Sequence, residues 1–133
     1  MLREIVQTEK APGAIGPYSQ AVKAGDLVYV SGQLPIDPAT GNLVTEDIKK
    51  ETRQALSNLK EILSAAGSSL EYVVKTTLYI SNMDDFPLIN EVYGEFFSKD
   101  CPARACVEVK RLPKDANFEV EAIDRKSTRL NSS

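Results

Sequence analysis

Two alternating stretches late in the chain constrain its fold most. Ala103, Ala105, Val107 and Val109 alternate with Arg104, Cys106 and Glu108, while Phe118, Val120 and Ala122 alternate with Glu119 and Glu121. Successive side chains of a strand point to opposite faces, so a period of two predicts two strands joined by the loop 110–117. Each strand is expected to turn its apolar set to a core and its charged set away from it. The charged set then offers one guanidinium, one thiol and up to three carboxylates on adjacent segments. A guanidinium can grip a planar carboxylate through two parallel hydrogen bonds. A carboxylate beside it can orient or deprotonate a water. The same residue types also make an ordinary solvated strand face with weak ion pairs.

The rest of the chain supplies partners for these strands. Residues 4–8 alternate weakly and predict a short first strand. Residues 11–17 hold two prolines and two glycines and read as a loop. It ends in Tyr18, which opens a strand through Lys23. Gly25 and Asp26 signal a tight hairpin into the apolar run Leu27 to Val30, closed by Ser31, Gly32 and Gln33. A glycine at a strand end lets a ligand or another backbone approach closely. Ile48, Thr52, Ala55, Leu56, Leu59, Ile62, Leu63 and Ala66 form one helical face, with Thr45 or Asp47 as cap and Gly67 past the end. Its polar side reads as solvated. Residues 71–80 are rich in β-branched and aromatic types and predict a strand. A second helix follows caps at Asn82, Asp84 and Asp85, with Ile89, Val92, Tyr93, Phe96 and Phe97 inward and Asn90 off that stripe. This order predicts an α+β domain: a mixed β-sheet with two helices packed on one face. Arg104, Cys106 and Glu119 are expected on the uncovered face, which in so small a domain often becomes a subunit interface.

Composition narrows the chemistry. A chain of 133 residues with formal net charge -3 predicts one domain without the basic surface that nucleic acid requires. The absence of histidine excludes Ser-His-Asp and Cys-His catalysis and any His-ligated metal, and two cysteines alone do not make a structural zinc site. No apolar run approaches a membrane span, and residues 1–10 lack a signal-peptide core, so a cytoplasmic protein is expected. Residues 1–123 read as the domain. Residues 124–133 turn abruptly polar where the last strand should continue, which marks a tail that is either a non-native extension or disordered.

Four segments together go beyond pattern. They are Gly16 to Val22, Ser31 to Pro35, Val74 to Thr77, and Pro102 to Val109 with Arg111 to Asp115; Asn90 to Tyr93 accompanies them. In order and spacing the chain resembles the YjgF/RidA family of enamine/imine deaminases from about Pro12 to Ile123. The resemblance implies a fold like the bacillar chorismate mutase, a homotrimer with three clefts between subunits, and no cofactor. It implies hydrolysis of 2-aminoacrylate, 2-aminocrotonate and their imine tautomers to 2-oxo acids and ammonia. Arg104 would hold the substrate carboxylate and Glu119 would activate water, with Tyr18, Ser31, Gly32, Asn90 and Cys106 lining the cleft. In such relatives the last strand continues with Ala and further apolar residues after Ile123, where this chain has Asp124, Arg125 and Lys126. Some relatives bind small metabolites without turnover. RNA cleavage, attributed to others, fits poorly with an acidic chain lacking histidine.

Overall fold

In the computed structural model, which describes residues 2–126, six strands form one mixed sheet in the order β1-β2-β3-β6-β4-β5. The strands are β1 (Arg3–Val6), β2 (Ala21–Ala24), β3 (Leu27–Gln33), β4 (Val73–Ile80), β5 (Ala103–Glu108) and β6 (Phe118–Arg125). All pairs are antiparallel except β4 with β5, whose connection carries a helix. The helices are α1 (Ile48–Ala65) and α2 (Phe86–Phe96), as the apolar spacing predicts. Asp47 caps α1 by accepting from the Lys50 amide at 2.8 Å. Gly67, at φ 81, ends it in the left-handed conformation while the Ser68 amide bonds back to the Leu63 carbonyl. One difference from expectation is small: residues 70–72 form a 3₁₀ turn, so β4 begins at Val73.

The core lies between the helices and one sheet face. Leu56, Leu59, Ile62 and Leu63 of α1 and Ile89 and Val92 of α2 are fully buried against Leu78, Ile80, Phe118 and Val120. Each such side chain contributes roughly 1.5–3 kcal/mol through removal from water. On β6 the expected alternation holds, since Phe118, Val120 and Ala122 are buried.

On β5 the alternation is inverted. Ala103, Ala105 and Val107 are exposed, with Val107 42% accessible, while Cys106 packs against the main core. The apolar set was expected inward. The reason is position: β5 is the edge strand, and only α2 reaches over it. On the face that lacks helices, register pairing aligns Ile5, Val22, Tyr29, Ile123, Lys75 and Ala103 in one row, with Ala105 and Val107 farther along β5 on the same face. This surface is partly apolar and has no helix over it.

Strand β6 runs to Arg125, two residues beyond the expected domain end. Asp124 is fully buried there, Arg125 lies 3.7 Å from Asp26, and Lys126 donates to the Gly67 carbonyl at 3.0 Å. The rest of the expected tail, 127–133, lies outside the described residues. Among the described residues no helix is long and apolar enough to cross a membrane.

Candidate active site

The Arg104 side of the site is built by helix α2. Phe86, Asn90 and Tyr93 are spaced i, i+4, i+7 and so share one helical stripe above β5. The Arg104 guanidinium carbon lies 4.7 Å from the Tyr93 ring centroid and 5.2 Å from that of Phe86. Its Nη1 donates to Asn90 Oδ1 at 2.9 Å. Arg104 forms no ion pair among the described residues. It is a cation held in place with its charge uncompensated, which suits an anionic ligand. Cys106, two residues on, is half-buried, and burial pushes its thiol up against the opposing pull of Arg104. A thiol so shifted is less often ionised near neutral pH, which disfavours it as a nucleophile.

The Glu119 side is built where β3 meets β6. Their pairing shifts register between Val30 and Gln33, a bulge that contains Ser31 and Gly32. Gly32 leaves room for the Glu119 carboxyl: a Cβ on it would stand 2.9 Å from the Glu119 carboxyl carbon and closer still to Oε2, so the carboxyl would have to move. Burial, and then the negative charge of Glu121 on the same strand face, push the Glu119 carboxyl above the usual range. Glu121 in turn accepts from the Tyr79 hydroxyl at 2.8 Å. A carboxyl shifted upward exchanges its proton nearer neutral pH, as general acid–base work requires.

The loop carrying Tyr18 is pinned beside this carboxyl. Ser31 Oγ donates to the Ser19 carbonyl at 2.6 Å, and the Ser31 amide bonds to the Gln20 carbonyl at 3.0 Å. The buried Gln20 amide donates to the carbonyls of Thr8, Ala11 and Pro12 and fixes the loop from beneath. Tyr18 is half exposed, its hydroxyl accepts from the Ile15 amide at 3.3 Å, and it lines one depression together with Gly32.

The seven expected site residues therefore form two groups on opposite faces of the sheet. Arg104, Asn90 and Cys106 lie on the helix face. Tyr18, Ser31, Gly32 and Glu119 lie at the open face. The expectation that Arg104, Cys106 and Glu119 share the uncovered face is corrected by the β5 inversion. Within one chain the guanidinium and the carboxyl are not brought together. Phe86 and Tyr93 are site neighbours that the sequence does not announce, because a helical aromatic reads as core; their spacing with Asn90 is the available signal.

The family model described as Endoribonuclease L-PSP matches residues 8–125. The chain belongs to that family. Members under the Rid name are among its structural neighbours, in agreement with the resemblance seen in the motifs. It is 56% identical to a RutC family protein of Pyrococcus horikoshii, over 92% of this chain and 97% of that one. It is 46% identical to the human 2-iminobutanoate/2-iminopropanoate deaminase, over 92% of this chain and 90% of that one. Among solved structures it is similar to E. coli TdcF with bound serine, at 46% identity and TM-score 0.90, covering 93% of this chain and 99% of that one. The fold of this L-PSP family chain thus matches that of TdcF over nearly its whole length.

Proposed function

We propose that the protein is a cofactor-independent 2-iminobutanoate/2-iminopropanoate deaminase, acting in the cytoplasm as a homotrimer. The observation that carries this reading is the split site: an uncompensated Arg104 on one face and a proton-poised Glu119 on the other. They can act on one small molecule only if a second copy docks against the open face. Arg104 would grip the substrate carboxylate, with Asn90 and Cys106 beside it. Glu119 of the partner subunit would take a proton from water as the oxygen bonds to the imine carbon. The carboxyl so protonated would return that proton to nitrogen; as the carbon–nitrogen bond breaks, the hydroxyl proton of the adduct would pass to the Glu119 carboxylate and on to the departing ammonia, so that a 2-oxo acid and ammonium leave. An iminium carbon is already electrophilic, so anchoring and water placement supply most of what is needed. The same name on the human relative supports the substrate class.

The test is decay of 2-aminoacrylate, generated from serine by a pyridoxal-phosphate dehydratase, with and without the protein at a concentration where sedimentation shows a trimer. Acceleration is expected. Arg104→Ala should lower kcat/KM by about 10²- to 10³-fold, since hydrogen bonds to a charged group contribute ~1.5–3 kcal/mol each. No acceleration by a trimeric wild type would favour a second reading, a binding protein for small carboxylate metabolites. The serine bound to TdcF supports that alternative. Binding of a 2-oxo acid without turnover would establish it.

A further inference from the structure

We infer that Phe86 and Tyr93 are positioning residues that set the affinity of the Arg104 guanidinium for a carboxylate, an inference that rests on Arg104 being the carboxylate anchor. Arginine is flexible, and ordering its side chain on binding costs conformational entropy. Here that cost is met before a ligand arrives. The guanidinium lies over two rings at 4.7 and 5.2 Å and is tied to Asn90 at 2.9 Å. A cation over an aromatic face is attracted by the ring quadrupole, and the rings take up none of the guanidinium's N–H groups, so those not given to Asn90 remain for an anion.

The platform is itself fixed. The Tyr93 hydroxyl shares a buried 2.8 Å hydrogen bond with Thr76 Oγ1, and Thr76 is the register partner of Arg104 across β4 and β5. Phe97 stacks on Tyr93 with ring centroids 4.7 Å apart. Ring, strand and guanidinium are thus locked into one unit. Tyr93 is nearly buried, so it does this without needing to touch a substrate.

The experiment compares Phe86→Leu and Tyr93→Leu with Phe86→Tyr and Tyr93→Phe in the full chain. The probe is 2-oxobutanoate binding by calorimetry, together with kcat and KM for imine decay. The leucine variants should bind 2-oxobutanoate about 3- to 10-fold more weakly, as loss of one cation–ring contact implies. KM should rise by a similar factor with kcat little changed, because ground state and transition state are anchored alike. Phe86→Tyr should stay within about twofold of wild type, since the ring is kept, and Tyr93→Phe, which keeps the ring but loses the bond to Thr76, should fall between wild type and Tyr93→Leu. Wild-type affinity in the leucine variants, or equal losses in the aromatic ones, would overturn the inference. Should a leucine variant not fold, progressively fluorinated phenylalanines at position 86 weaken the quadrupole at nearly constant volume; affinity must then fall with each fluorine, and a flat series refutes the assignment. Ring-dependent binding without turnover would sink the deaminase reading and keep this one. Turnover independent of the rings would do the reverse, and a wild type that neither binds nor turns over would sink both.

Discussion

Glu119 and Asp124 sit five residues apart on β6, and both carboxyls are pushed above the usual range by burial. Their surroundings differ in every other respect. Glu119 lies at the open face, over a glycine that has no side chain to exclude it and beside a second carboxylate held by Tyr79. Asp124 lies on the helix side, fully buried, with the Ser68 hydroxyl nearby but no hydrogen bond of good geometry to either of its oxygens among the described residues. The Ser68 hydroxyl and the Lys126 ammonium only temper its shift. A raised proton affinity is therefore not in itself the mark of a site. At Glu119 the same desolvation comes with access, a cleared space and neighbouring polar groups; at Asp124 it comes with a cost and nothing that uses it.

The sharpest test of this contrast is activity. Glu119→Gln should lower kcat for imine hydrolysis by about 10²- to 10⁴-fold, the usual span for a general acid–base group, while 2-oxo acid binding persists. An unchanged kcat would remove Glu119 from the reaction. Gly32→Ala should follow, with kcat down about 10-fold or more, because a Cβ would push the carboxyl out of place and a displaced catalytic group is costly. Its melting temperature should change little, since the group that must give way is the end of a flexible side chain. A large loss of stability with intact kcat would show that Gly32 serves the bulge and not the carboxyl.

Asp124→Ala should do the opposite. Turnover is expected at the wild-type level, and stability in denaturant should rise by about 1–3 kcal/mol as an unpaired buried carboxyl is removed. A loss of stability would mean that Asp124 has a partner. The smallest effect is the pH dependence. Asp124 binds its proton more tightly folded than unfolded, so the native state holds the extra proton just above the unfolded value of about 3.9. Stability should then fall as pH rises from there through the raised folded pKa, and level off above it. The Asp124→Ala chain should show a shallower decline over that window, measured by denaturant melts; identical slopes would clear Asp124 of responsibility.

The elements of the fold were legible in the sequence because each carries its own local signature. The α1 face from Ile48 to Ala66, its Asp47 cap and its Gly67 stop are short-range features, and the structure reproduces them. So are the β2–β3 hairpin and the apolar side of β6. The candidate site residues could be named from motifs, since motifs are local too.

Which side of the sheet each residue faces was a tertiary decision. Alternation on β5 defines two faces but not which one meets the helices, because small alanines satisfy either environment and arginine can rest its guanidinium on aromatic rings while staying exposed. Only the placement of α2 over an edge strand put Arg104 on Tyr93 and turned Val107 outward. The buried state of Asp124 was likewise invisible: its polarity argued for the end of the strand, yet backbone pairing with Val28 and Val73 carries β6 past it. Sequence determined the helices, the strands and the identity of the chemical groups through local periodicity. Packing between distant segments alone determined their sides, and with them the separation of Arg104 from Glu119 that makes a second copy necessary to the proposed chemistry.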